Sequence, residues 1–231
     1  MTVAAVLVLL VIHNLGANLW VSDRWYVPLN LATAGVLVAL VGPDDLGLSP
    51  GEEPVAAVAA ALTVLVAVAV LAVLPATRPF FADRRMAGVD GRGTAWRALV
   101  RIPFGTVVLE EVAFRGVLPV LLSTWSASVL FGLWHVLPTV RTLDVNGVAP
   151  SPPARALAVG AAVAATAGVG LVLCWLRWAT GSLLAPALVH TAANSGAVVA
   201  GYRVLRSAAV KDPAPDELPH EAPQQHVEPP A

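Results

Sequence analysis

The sequence predicts an all-α fold, a polytopic membrane helix bundle of about seven transmembrane helices, and three observations carry that expectation. Hydrophobic residues make up 57% of the 231 and charged residues only 13%, against roughly a quarter charged in a soluble domain. Mean hydropathy is accordingly high, at +0.75. Apolar runs of about 20 residues, the length a helix needs to cross the hydrocarbon core, recur along the chain between Pro/Gly/Asp-rich turns. Within a bilayer every backbone N–H and C=O must bond inside its own segment, which makes each run a helix.

The runs cover residues 2–21, 26–42, 55–74, 97–122, 125–140, 155–178 and 182–204. The first starts at Met1 with neither a basic n-region nor a small-residue cleavage site, so it reads as a retained span rather than a signal peptide. It carries His13, Asn14 and Asn18. His13 and Asn14 point apart, Asn14 and Asn18 share a face, and interhelical hydrogen bonds worth on the order of 1 kcal/mol each account for all three. The second run carries Asn30 and ends at the turn GPDDLGLSPGEE (42–53). The third has no ionisable residue between its ends and leads into the Arg-rich connection ATRPFFADRRMAGVDGRGTAWR (76–97). Next come the fourth run with LEEVAFRG (109–116), the fifth with FGLWH (131–135), and the connection VRTLDVNGVAPSPPAR (140–155). In the sixth, Gly160, Ala164 and Gly168 at four-residue spacing read as a close-packing face for a neighbouring helix. The seventh carries HTAAN (190–194). The Pro/Glu/Gln-rich end of the chain, with His220 and His226, reads as disordered and solvated. Three regions result: N-terminal spans 1–3 with the Arg-rich loop (1–94), a helical core (95–204), and a tail (205–231).

The near-zero net charge of −1 gives no sign of nucleic acid. A lone cysteine, Cys174, rules out an intrachain disulfide or a cysteine metal knuckle. Arg24, the six arginines from Arg78 to Arg101, Arg141, Arg155, Arg203, Arg206 and Lys211 all fall on one side of a seven-span arrangement, with only Arg177 opposite and Arg115 inside the membrane. The retention of basic residues in cytoplasmic loops then places the N-terminus outside and the tail in the cytoplasm. The expected location is a bacterial cytoplasmic membrane, consistent with the preference for Arg over Lys.

Polar residues at membrane depth are costly unless paired and mark function by default. Glu111 and Arg115 stand at i and i+4 with the acid first, the favourable order for an ion pair. Glu110 points about 100° away around the helix and is left needing a partner. Phe131 and His135 share one helical face, as do His190 and Asn194. A shared polar site of Glu110, His135, His190 and Asn194 is the expectation, with Glu111, Arg115 and Phe131 as its structural support.

EEVAFR, FGLWH and HTAAN, in that order, resemble the motifs EExxxR, FxxxH and HxxxN of the CPBP family. These membrane-embedded proteases include the Ras-converting type II CAAX prenyl endopeptidases and the Abi bacteriocin-immunity proteins. The resemblance covers roughly residues 95 to 200 and extends to TGSLLAP and the PxxxH spacing of Pro186 and His190. It implies a peptide or protein substrate, lipidated or membrane-associated. Peptide hydrolysis needs an activated water, oxyanion donors and a proton for the leaving amine. Glu110 with His135 suits the first task, and His190 with the Asn194 amide the second, in agreement with the family. A zinc-dependent version, with Glu110, His135 and His190 as ligands, stays open as the alternative; HExxH is absent and Asn194 is a poor zinc ligand, so no cofactor is favoured. Two other classes remain. A proton-coupled transporter would usually show repeats or paired broken helices, which the sequence lacks. A non-catalytic immunity or peptide-binding protein would need the same cavity without turnover.

Overall fold

The computed structural model describes residues 2–51, 53–149 and 151–211. His220 and His226 lie outside these residues, as does the rest of the tail from 212 onward. Eight helices account for the architecture, and no strand occurs among the described residues. They are α1 (Thr2–Leu19), α2 (Asp23–Val41), α3 (Pro54–Val73), α4 (91–121), α5 (Thr124–Trp134), α6 (Val136–Asn146), α7 (Pro152–Thr180) and α8 (Leu184–Lys211). By length and apolarity α1, α2, α3 and α7 can each cross a membrane. The last helix continues past residue 204 to Lys211, into the region expected to be tail.

Local chemistry sets the helix ends. Asp90 caps α4 by accepting from Gly93 N at 2.7 Å, and Ser123 caps α5 by accepting from Ser126 N at 3.1 Å. Gly147 and Gly181, both left-handed at φ +64° and +66°, end α6 and α7. The fifth apolar run becomes two helices because the chain breaks at His135, whose φ and ψ of −85° and −1° lie at the edge of the helical region, toward the bridge conformation.

The axis of the bundle is α4. Every residue from Leu109 to Leu118 is buried, and its apolar side chains pack with Val6 and Leu10 of α1, Ala34 and Leu37 of α2, and Ala127 and Phe131 of α5. The large apolar side chains of α3 and α7 instead point outward: Val55 is 80% exposed, Leu157 75% and Trp178 79%, as suits a surface solvated by lipid. Along α4 the winding widens to π-helical turns over Arg97–Val107 and Val112–Val117, with the α-helical turn Val108–Glu111 between them. Such widened turns occur often at functional sites.

The small-residue stripe of α7 is not its packing face. A Cβ placed on Gly160 or Gly168 would meet nothing within 4 Å, and Ala164 is exposed. The close approach lies on the other side of the helix. There a Cβ on Gly132 of α5 would stand 2.6 Å from the Val163 carbonyl oxygen, and one on Gly170 would stand 3.3 Å from Phe131 and Ser128. Four-residue spacing identifies a smooth face but not which way that face turns.

The two ends of the bundle differ in charge. At one end the 42–51 loop folds over the α7–α8 junction, where Leu183 N donates to Gly47 O at 2.7 Å, Ser182 Oγ donates to Ser49 O at 2.5 Å, and Arg177 donates to the Asp45 carbonyl. Leu46 of that loop is fully buried in the core. At the other end Arg84 N donates to Asn146 Oδ1 at 2.9 Å and Arg78 donates to Ser207 at 2.7 Å. Burial there raises the Asp83 carboxyl, but donors from Arg85 and Asn146 outweigh it and hold the group below its ordinary value.

Candidate active site

The polar residues of α4, α5 and α8 meet inside the bundle. Glu110 and Glu111 end the α-helical turn between the two widened segments, so both side chains leave the axis toward α5 and α8. Glu111, His190 and Arg115 are 1%, 7% and 1% exposed. His190 joins the two acids: its Nδ1 lies 2.7 Å from Glu111 Oε1 and its Nε2 lies 3.7 Å from Glu110 Oε2. Arg115 Nη1 approaches the same Glu111 oxygen at 3.4 Å, and its guanidinium stacks on the Phe131 ring at 3.9 Å.

The expected pairing of Glu111 with Arg115 is therefore present, but Arg115 is not Glu111's sole partner, because His190 takes the shorter contact. Glu110 is likewise not free. Its Oε1 accepts from the indole Nε1 of Trp134 at 3.0 Å, while its Oε2 hydrogen-bonds to none of the described residues.

His135, expected beside Glu110, sits one helical turn beyond Phe131, and their rings meet edge-on at 4.6 Å. Its Nδ1 lies 2.7 Å from the Phe131 carbonyl oxygen, so Nδ1 is the donor of that bond and Nε2 is the nitrogen it leaves uncommitted. No His135 nitrogen lies within ion-pair distance of Glu110. Asn194 follows His190 by one turn of α8 and is half-buried, and its amide bonds to none of the described residues. Phe131 touches most of the group, meeting Arg115 with its face and His190 edge-on at 6.1 Å.

Trp134 is the residue that sequence reasoning missed. Its proximity to His135 was visible, but helical spacing says nothing about an indole reaching across to α4. A usable signal was Pro138, four residues on. Proline has no N–H, so the Trp134 carbonyl loses its helical partner, and a broken helix beside a motif histidine follows from that.

His13 and Asn18 of α1 make packing contacts. His13 is held between Asn30 Oδ1 at 3.2 Å and Thr33 Oγ1 at 2.9 Å, and Asn18 donates to Asn14 Oδ1 at 2.8 Å. Among the described residues no group of three or more His, Cys, Asp or Glu side chains is gathered to hold a metal ion.

No curated protein and no solved structure matches the chain. A family model described as type II CAAX prenyl endopeptidase Rce1-like matches residues 92–196, which run from the start of α4 past Asn194 and include Glu110, Glu111, Arg115, Trp134, His135 and His190. The segment that holds all of this buried polar cluster is thus the part of the chain that is similar to the Rce1-like type II CAAX prenyl endopeptidases.

Proposed function

We propose that the chain is an intramembrane endopeptidase that hydrolyses a peptide bond with a water activated by Glu110. The observation that carries this reading is the division of labour at that carboxylate. Oε1 is held by the Trp134 indole, whereas Oε2 is buried, without a hydrogen bond, and faces His190. Glu111 Oε2 is idle too, but Glu111 Oε1 is engaged by both His190 and Arg115, so Glu110 is the acid of the pair with no cationic partner at hydrogen-bond distance.

The remaining roles follow from donor and acceptor chemistry. His135 offers Nε2 to the water, because Nδ1 is committed to Phe131. Glu110 Oε2 takes a proton from that water as its oxygen bonds to the scissile carbonyl carbon, and returns the proton to the leaving amine as the C–N bond breaks. The developing oxyanion is met by His190 Nε2–H and the Asn194 amide. With Nδ1–H already directed at Glu111, His190 can donate from Nε2 only when both nitrogens carry protons.

The reading routes no step through zinc, because HExxH is absent and Asn194 is a poor zinc ligand. The substrate we propose is a membrane-associated peptide or protein, prenylated or not, entering from the cytoplasmic side. The N-terminus lies outside and the Arg-rich end faces the cytoplasm. Cysteines introduced at positions 85 and 47 should label from opposite sides; labelling of position 85 from outside overturns that orientation.

Function is tested by reconstituting the protein in liposomes with quenched fluorescent peptides that end in a prenylated cysteine box, and with their unprenylated counterparts. Cleavage at one bond, insensitive to chelators, is the expected result. Binding without cleavage would make the chain a peptide-binding membrane protein, and loss of cleavage with chelator restored by zinc would make it a metalloenzyme.

A further inference from the structure

Helix α1 lies wholly outside the residues 92–196 that match the family, yet it reaches the backbone of the FGLWH segment. The helical partner of the Trp134 carbonyl would be the N–H of residue 138, and residue 138 is proline. A carbonyl left without a donor at membrane depth is destabilising by several kcal/mol. Asn14 of α1 fills the vacancy, donating from Nδ2 to Trp134 O at 2.9 Å. Beside it His13 stacks on the Trp134 indole, with rings 9° from parallel and centroids 6.2 Å apart. Phe114 of α4 also meets this indole edge-on, at 5.4 Å. The indole is thus fixed in backbone, plane and position, and its one polar atom is spent on Glu110 Oε1 at 3.0 Å.

We infer that Asn14 and Trp134 are positioning residues for Glu110: α1 docks into the break at His135, fixes the Trp134 indole, and the indole in turn leaves Glu110 Oε2 as the oxygen available to the substrate water. This rests on the reading of Glu110 as the base. The alternative is that α1 merely seals the bundle, with the Trp134–Glu110 contact incidental to turnover. The two differ in what should move. A fixed carboxylate acts in the chemical step, so loosening it lowers kcat and leaves KM nearly unchanged, whereas general loosening of the bundle lowers thermal stability and the active fraction.

The experiment has two arms. In the first, nitrogen-labelled tryptophan is incorporated and the seven indole N–H resonances are followed by NMR in detergent micelles, with Trp134 assigned by the signal lost in Trp134→Phe. Glu110→Gln should move that signal, because a charged acceptor is replaced by a neutral one, and Asn14→Leu should move it too. Trp178, 79% exposed on α7, should stay in place in both. In the second arm the liposome assay with the prenylated peptide is run on Trp134→Phe and Asn14→Leu. Trp134→Phe should lower kcat by about ten- to a hundredfold, the span set by one hydrogen bond to a charged group. Asn14→Leu, acting through the backbone, should lower it by roughly three- to tenfold, with KM steady in both and Trp178→Phe without effect. A Trp134 indole signal unmoved by Glu110→Gln and Asn14→Leu overturns the inference whatever the activity, and so does wild-type kcat in either variant. If the signal moves as expected while the wild-type protein cleaves neither peptide, the contact stands and the protease reading falls. Should Trp134→Phe fail to fold, Asn14→Leu keeps both arms decisive.

Discussion

Two buried histidines, His13 and His190, are almost equally hidden, at 6% and 7% exposed, yet their surroundings are opposite in kind. His13 lies between neutral partners, the Asn30 amide and the Thr33 hydroxyl, and Asn30 is itself anchored by donating to Tyr26 O at 2.6 Å. The ring of His13 has a partner at each nitrogen and no charge nearby to change. His190 lies between two carboxylates, only one of which it reaches at hydrogen-bond distance. Around it Glu110 Oε2, Glu111 Oε2 and all three guanidinium nitrogens of Arg115 have no hydrogen-bond partner among the described residues. Buried polar groups are satisfied where they serve folding. Most of the idle ones among the described residues, all but Arg101 Nε and Arg177 Nε, gather in this cluster, where we propose that the substrate water binds. Burial and residue type fail to separate the two histidines; the occupancy of their neighbours does.

The sharpest way to break this contrast is to remove a charge from the His190 cluster. Glu111→Gln leaves Arg115 and His190 without their shared anion, and truncating one side of a buried ion pair is destabilising by about 3–5 kcal/mol. Chemical unfolding in detergent should show that loss, and an unchanged midpoint would mean that the cluster is not held by charge. Next in size is the oxyanion assignment. Asn194→Ala should lower kcat by roughly 10²–10³ with little change in KM. Asn194→Asp should be worse at neutral pH, because an acceptor replaces the donor; aspartate more active than alanine would point to a ligand role instead. In the His13 cluster, Thr33→Val leaves one imidazole nitrogen without its partner, at about 1–3 kcal/mol of stability. The kcat of this variant should fall by less than that of Asn14→Leu, and a larger fall would erase the distinction between the clusters.

The smallest effect lies away from both. Asp83 is held below its ordinary value of 3.8 despite the burial that opposes this. Its contribution to stability is therefore complete above that value and lost as the pH falls through the lowered one. Asp83→Asn should flatten the acid side of the Tm–pH curve, and an unchanged acid side would mean that the Arg85 and Asn146 contacts do not persist in solution.

Much of the site is legible in the sequence because helical spacing is local. The pairing of Glu111 with Arg115, the common face of Phe131 and His135, and the Asn14–Asn18 contact all follow from i and i+4. What crosses between helices is another matter. The sequence gives no register between α4 and α8, so it could not show that His190 takes Glu111 at 2.7 Å, or that Glu110 meets Trp134 rather than His135. For the same reason the Gly160–Gly168 stripe suggested contact on a face of α7 that turns outward. The break at His135 was within reach, since Pro138 removes an N–H, but the donor that compensates comes from Asn14, 120 residues away.

The central claim is that Glu110 Oε2 is the base, and Glu110→Gln tests it most directly. The amide keeps the volume of the side chain and an oxygen for the Trp134 indole, but it cannot take a proton from water. Purified Glu110→Gln, reconstituted at the same density as wild type, should insert, run as one monodisperse species and show no cleavage of a peptide that wild type cuts. A monodisperse Glu110→Gln protein with wild-type kcat would contradict the account.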